Sequence, residues 1–284
     1  MHLTQQTQEW HNLRRSMIGA SDAPAIMGIS PWKTEYQLWL EKLGLYEQES
    51  TWYMKRGLDK EEEARQAFKK ETGIKVFPDV VFSKDYQWMM ASLDGIDLTR
   101  QHVLEIKCPG IEDHECAING KIPEKYYPQL QHQMIVCNVN KMFYFSYFNG
   151  NHKILEVYRD NNYNVSLIEN EKNFMKCLDE LIPPKLSNKD FVNKNDDLWN
   201  QTAKEWLDVN QQLKLIEKKE KELRDNLINM SGQSNAMGAG IKLSKIVRKG
   251  SIKYNEIPAI KNVNLEEYRG ETTVSFRISK NDAT

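Results

Sequence analysis

This 284-residue chain has no long apolar run. None of its hydrophobic stretches approaches the roughly 18 residues of a membrane span, so none is expected. Its first ten residues, M-H-L-T-Q-Q-T-Q-E-W, are polar, and a secretion signal is not expected either. Cysteine is scarce. Cys108, Cys116, Cys137 and Cys177 stand 8, 21 and 40 residues apart, which matches no zinc-ligand spacing. They read as reduced core thiols of a cytoplasmic protein. The run Asp113-His114-Glu115-Cys116 lacks the second histidine one helical turn on that a helical zinc site needs. No G-x-x-x-x-G-K-[ST] loop is present, which excludes an ATP site of that kind. No internal repeat is visible. Net charge is −1, so the whole chain shows no excess of basic charge for nucleic acid.

The distribution of charge says more. Residues 199–284 carry 15 Lys and Arg against 11 Asp and Glu, a surplus of four, which leaves residues 1–198 five short. Residues 242–255 hold Lys242, Lys245, Arg248, Lys249 and Lys253 with no acid. With 40% hydrophobic residues, the chain is long enough to bury a sizeable core and still carry an appendage.

Periodicity and punctuation divide the chain. A short helix is expected around Trp10 and Leu13, then a small-residue turn Ile18–Asp22 into a brief helix ending at Gly28. Thr34 can cap a helix stopped by Gly44, and a second helix is expected over Leu58–Thr72. Strands follow at Ile74–Phe82, Gln87–Ser92 and His102–Cys108, then a loop over Pro109–Ile122 and a helix near Tyr126–Cys137. Strands at Met142–Phe148 and Ile154–Tyr158 and a helix over Val165–Ile182 close the core. This reads as an α/β fold, a central mixed β-sheet flanked by helices, over residues 1–184. A linker, 185–198, leads to a helix over 199–231. There Trp206, Val209, Leu213, Ile216, Leu223, Leu227 and Met230 recur at spacings of three and four like a coiled-coil seam. The tail, 232–284, alternates like a basic β-hairpin around Gly250.

The chemistry concentrates in S-L-D-G-I-D-L-T-R-Q-H-V-L-E-I-K. Glu105 and Lys107 alternate with Leu104 and Ile106, so the charged pair shares one face of a strand and the aliphatic pair the other. A D-G turn at Asp94 can bring its carboxylate beside Glu105. Two adjacent carboxylates repel unless a cation lies between them, and oxygen ligands suit a hard divalent ion, Mg²⁺ or Mn²⁺. With Lys107 beside that ion, the group has what metal-assisted phosphodiester hydrolysis requires.

Other residues can face this site. Glu61 lies at the edge of the apolar stripe Ala64, Ala67, Phe68 and is placed to complete a metal site, or to stand solvated in its charge run. Gln129 and Gln133 share a helix face one turn apart, near Tyr126, and an amide there can orient a water or contact a phosphate. Arg14, with Ser21 at the start of a short helix whose Pro24 wastes no donor, suggests a pocket for a terminal phosphate.

Together these pieces resemble the lambda-exonuclease-like, YqaJ-type viral recombinases, phage-related nucleases of the PD-(D/E)xK superfamily with a restriction-endonuclease-like sheet. The resemblance runs from about Trp10 to Ile182. It is carried by W-H-N-L-R-R-S-M-I-G-A-S, R-G-L-D-K-E-E-E-A-R, S-L-D-G at Asp94, L-E-I-K-C-P from Leu104, and Y-Y-P-Q-L-Q from Tyr126. It implies that Asp94, Glu105 and the Ile106 carbonyl bind the metal, with Glu61 beside them. Lys107 would be the catalytic lysine, Gln129 the residue positioning the attacking water, and Arg14 and Ser21 the holders of a 5′-phosphate. It further implies Mg²⁺-dependent 5′→3′ digestion of linear double-stranded DNA in a bacterial host cell, a single-strand annealing protein as partner, and a ring-shaped homotrimer. Ser-Leu precedes Asp94 where the family often has proline, and the C-terminal helix and tail extend beyond the family's core. Tyr126, Lys245, Arg248, Lys249 and Lys253 are candidates for further DNA contact. The competing readings are an endonuclease of the same superfamily and a non-catalytic DNA-binding adaptor.

Overall fold

In a computed structural model, residues 7–46 and 52–248 are described, with Gln5, Gly250, Ile257 and Val263 besides. Two units emerge, Met1–Val192 and Asn193–Thr284.

The first unit begins with α1 (Gln8–Ser16), whose Thr7 hydroxyl accepts from the Trp10 amide. A two-residue strand β1 (Ile18–Gly19), a 3₁₀ turn (Ala20–Asp22) and α2 (Ala23–Ile26) follow. Then come α3 (Glu35–Lys42), capped reciprocally by Thr34 and Gln37, and α4 (Trp52–Thr72). Helix α4 starts six residues before the expected Leu58 and stops where Gly73 turns to φ +73°, a region that favours glycine. Strands β2 (Phe77–Phe82), β3 (Met89–Ile96) and β4 (Val103–Lys107) precede α5 (Ile111–Ile118) and α6 (Tyr127–Cys137). Strands β5 (Lys141–Phe148) and β6 (Asn151–Tyr158) and helix α7 (Asn161–Asp179) complete it.

The strands form one mixed six-stranded sheet in the order β1-β3-β4-β5-β6, with β2 on β3. Strands β4 and β5 run parallel, Glu105 opposite Tyr144 and Lys107 opposite Ser146, because α5 and α6 carry the chain back between them. Helix α4 packs Ala64 and Phe68 on Leu104, Ile106 and Phe145. Helices α6 and α7 cover Leu93, Val103 and Tyr144 with Leu130, Met134 and Leu167. The mixed sheet flanked by helices is as the pattern of elements implied.

Two local expectations are corrected. Asp94-Gly95 is not a turn; both residues lie inside β3. Gly95 is there for close approach: a Cβ would stand 2.6 Å from Val76 Cγ2 and 3.2 Å from Leu104 Cβ. The β3–β4 turn forms instead at Asp97, whose Oδ1 accepts from the Gln101 and His102 amides while Arg100 takes φ +59°. Pro109–Ile122 is not all loop, since it contains α5. In the second unit a short hairpin turns at Ala239-Gly240 between β7 (Ala236–Gly238) and β8 (Ile241–Leu243), both turn residues at positive φ as tight hairpins demand; the far strand of the hairpin expected around Gly250 lies outside the described residues.

The second unit contains α8 (Asp197–Met230), 34 residues with none buried, started by the Asp196 carboxylate on the Trp199 amide. Its stripe of Val209, Leu213, Ile216, Leu223, Leu227 and Met230 is exposed in the single chain. Among the described residues no helix is long and apolar enough to cross a membrane, and the four cysteines are unpaired and half-buried.

One buried ion pair ties the helical layer to the sheet. His132 on α6 and Glu171 on α7 are both fully buried, 2.7 Å apart, and the other His132 nitrogen lies 2.9 Å from the Met90 carbonyl on β3. Burial alone would lower the His132 pKa, but Glu171 outweighs it, so the folded value lies above the ordinary 6.5. Folded protein therefore holds this proton to higher pH than unfolded chain does. The pair's contribution is fully present below about 6.5 and is lost as pH rises through the raised folded value. Urea midpoints should fall as pH climbs from 6.5 into the alkaline range, and the fall should be smaller in His132→Gln. An unchanged slope in that variant would mean the pair does not set it.

Candidate active site and anion pocket

Strands β3 and β4 pair only through Gly95–Leu104 and Ile96–Val103, then diverge. The Asp94 side chain fills the gap: its Oδ2 accepts the Ile106 amide at 2.7 Å. A carboxylate thus replaces a main-chain acceptor, which sets Asp94 against β4 next to Glu105. On β4 the expected alternation holds. Leu104 and Ile106 face α4, while Glu105, only 2% exposed, meets α6.

Three side chains surround Glu105. Lys107 Nζ lies 2.5 Å from Oε1, Gln129 Nε2 donates to Oε1 at 2.6 Å, and Gln133 Nε2 donates to Oε2 at 2.5 Å. Gln129 Oε1 also accepts from Lys107 at 3.0 Å, so both ends of this amide are engaged. Gln133 Oε1 is buried and has no partner. The surface glutamines that a helix ordinarily carries are here interior ligands of one carboxylate. Gln133 was placed on the right helix face by spacing, but only the fold shows that it reaches Glu105.

Electrostatics mark the site. Burial raises the Asp94 pKa well above its ordinary value, and the negative charges of Glu105 and Glu61 add to the rise. Burial also raises Glu61, against the pull of Arg65, with Glu105 adding to the rise. Burial would lower Lys107, yet Glu105 and Asp94 outweigh it and its pKa ends above 10.5. Glu61 is held at the site's edge by Arg65, whose Nε also donates to the Asp94 carbonyl at 2.8 Å. Arg65 carried no signal in the sequence beyond its place in a charged helix.

Asp94, Glu105, Glu61 and the Ile106 carbonyl offer oxygen only, and three acids crowd one basic side chain at the centre. This donor set fits a hard divalent cation. Among the described residues no three His, Cys, Asp or Glu side chains are gathered as a ready cage. The fit is that of two carboxylates with a main-chain oxygen, in a place where Lys107 now neutralises Glu105.

Tyr126 does not present itself to solvent. It is 8% exposed, its hydroxyl donates to Asp113 at 3.2 Å, and its ring lies 5.3 Å below Lys107 Nζ. Its ring forms a floor for the lysine, because the 3₁₀ turn Glu124–Tyr126 leads straight into α6 and buries it. Lys245 and Arg248 are exposed in the second unit, after β8 rather than within a hairpin strand. Lys249 and Lys253 lie outside the described residues.

A second constellation forms near the N-terminus. Arg14 Nη2 donates to Ser21 Oγ at 2.8 Å and to Asp22 Oδ1 at 3.0 Å. Gly19 makes room, since a Cβ there would stand 3.3 Å from the guanidinium. The expected free helix end is not available: Asp22 Oδ2 already accepts the Gly19 amide, and α2 has only four residues. Asp22 is held in turn by Lys42, 9% exposed, whose ammonium donates to Asp22 Oδ2 at 2.6 Å and to the Arg14 and Met17 carbonyls. Burial would raise Asp22, but Lys42 and Arg14 hold it well below its ordinary range. Two cations on one anion leave a net positive pocket. Lys42 lies on another helix, and nothing local in the sequence pointed to it.

Residues 9–140 match the family of the YqaJ-like viral recombinase domain. The uncharacterized protein YqaJ of Bacillus subtilis (strain 168) is 29% identical over 162 residues, 54% of this chain and 50% of that protein. The chain thus spans about half the length of this curated relative. Among solved structures, the alkaline exonuclease LHK-Exo from Laribacter hongkongensis is 25% identical with a TM-score of 0.54, covering 62% of this chain and 94% of that one. The complex of LHK-Exo with dAMP gives 24% and 0.55 over the same shares. The matched span, 9–140, includes Arg14, Ser21, Glu61, Asp94, Glu105, Lys107 and Gln129. Over residues 9–140 the chain is therefore similar to the YqaJ-like viral recombinase domain.

Proposed function

We propose that this protein is a divalent-metal-dependent deoxyribonuclease that digests the 5′-ended strand of linear duplex DNA and leaves 3′ single strands for recombination by annealing. The observation that carries the reading is Glu105: an acid buried in the sheet beside Asp94, with a lysine and two glutamines gathered on it. The domain match and the likeness to an alkaline exonuclease support the substrate class.

Asp94, Glu105 and the Ile106 carbonyl would hold Mg²⁺ or Mn²⁺, with Glu61 at the margin. When bound, such an ion supplies charge stabilisation at the scissile phosphate and acidifies a water. Lys107 favours its charged form, which suits it to stabilise developing negative charge on phosphate oxygens rather than to take a proton. Gln129, spent on Glu105 and Lys107, orients that pair. Gln133 Oε1 is the acceptor left over to hold a water. Arg14, with Ser21, binds the 5′-phosphate of the end through its remaining N–H donors. Anion binding there selects a 5′ end and so sets the direction of travel. The exposed stripe of α8 suits self-association, and the basic residues Lys245 and Arg248 suit contact with DNA phosphates, which weakens steeply with salt.

Digestion of linear duplex with 5′-phosphate, 5′-hydroxyl or hairpin-capped ends, beside closed circular DNA, tests this reading. The parent chain should favour the 5′-phosphate and spare the circle. Lys107→Ala should cut at least about 100-fold more slowly while binding DNA nearly as well. Arg14→Ala should lose the 5′-phosphate preference. Parental cutting by Lys107→Ala overturns the lysine's role, and cutting of closed circles moves the reading to an endonuclease.

A further inference from the structure

One exposed aromatic group lies beside this site without a role. Trp32 is 55% exposed, and among the described side chains of the first unit it is the exposed tryptophan. Its mount is rigid. Pro31 fixes the preceding backbone, and Ser30 Oγ accepts the Trp32 and Lys33 amides at 3.2 and 3.3 Å. Thr34 then caps α3 directly. The indole stacks on Tyr126 with ring centroids 5.9 Å apart and 25° between planes. Lys125 Nζ lies 5.4 Å from both rings and 2.7 Å from Asp113. On Tyr126 also rests Lys107, at 5.3 Å. The exposed indole is thus one aromatic ring away from the lysine of the active site, with a second ammonium at its edge.

An indole held this way has two physical uses. As simple packing it would need to be covered, yet more than half of it is exposed. As a surface it presents a flat π face next to cations, which is how proteins bind unpaired nucleotides: bases stack on aromatic rings whatever their identity, while ammonium groups track the phosphates. A nucleotide whose phosphate lies at Lys107 has its base within reach of this ring.

We propose that Trp32 is a stacking platform for the nucleobase of a nucleotide at the end being cut, with Lys125 beside it for the neighbouring phosphate. The platform grips by stacking, so it accepts all four bases. This deepens the nuclease reading of the Lys107 site and rests on it, since the Lys107 position fixes where the phosphate lies.

The test is binding of the full chain, by fluorescence anisotropy without divalent metal, to linear duplex with a frayed end. The first or the second nucleotide of the 5′ strand is either intact or abasic. Cutting of the same DNAs with Mg²⁺ is followed in parallel. The parent chain should bind on the order of tenfold more weakly when one of these two bases is missing. Trp32→Ala should bind the intact end about tenfold more weakly and lose nothing more to the abasic site, whereas Trp32→Phe should stay near the parent. If neither abasic position weakens the parent, or if Trp32→Ala keeps the full abasic penalty, the platform is overturned. The abasic arm uses the unaltered chain, so misfolding of Trp32→Ala leaves the proposal open to refutation. Cutting without any abasic penalty sinks the platform alone. An abasic penalty without cutting sinks the nuclease reading and leaves the platform, and no binding to any DNA sinks both.

Discussion

A carboxylate buried in the middle of a β-sheet is the constraint around which the first unit is arranged. Glu105 is 2% exposed, and its two oxygens receive Lys107, Gln129 and Gln133. Removing the charged partner of a buried ion costs about 3–5 kcal/mol, because the remaining charge is left unpaired. The glutamines must therefore be interior, and α6 must lie across β4. That in turn requires the parallel β4–β5 crossover and explains why this helix is buried along nearly its whole length. An apolar residue at position 105 would release all of these demands. That the chain meets them instead is the physical mark of a site.

The same economy governs Asp94. Strands β3 and β4 separate where an unpaired main-chain donor would otherwise face the gap, and Asp94 fills it by taking the Ile106 amide. Gly95 lets Val76 and Leu104 close tightly just before the separation. Arg65 then fastens α4 to the Asp94 carbonyl and to Glu61. Three acids are thereby brought together by packing rather than by attraction, and their mutual repulsion raises the Asp94 and Glu61 pKa values on top of burial. Near the N-terminus, Asp22 is shared between Arg14 and the buried Lys42, which fixes a guanidinium while leaving the pocket positive.

Much of this was legible in the sequence because it is local. Alternation over Leu104–Lys107 divides the strand correctly between α4 and α6, and the Thr34 cap and the Gly73 stop mark real helix ends. Arg14 and Ser21 were close enough in sequence to be paired. What was missed is what depends on distant contacts. The Asp94-Gly95 pair has the composition of a turn, but the small residue is needed for packing, a reason invisible without Val76. Spacing put Gln129 and Gln133 on one helix face, but that both donate to Glu105 shows only once the buried acid lies opposite them. Lys42 and Trp32 are anonymous in sequence, since their meaning comes from Asp22 and Tyr126 on other elements. Tyr126 itself, a candidate for DNA contact by sequence, is drawn inside by the turn that leads into α6.

The central claim is that the acids on β3 and β4 form a binding place for a divalent cation. Calorimetric titration of the full chain with Mn²⁺ in the absence of DNA measures this directly. The account predicts saturable uptake by the parent protein and its loss in Asp94→Asn combined with Glu105→Gln, with the fold of that variant confirmed by circular dichroism. No uptake by the parent, or the same uptake by the folded double variant, would contradict it.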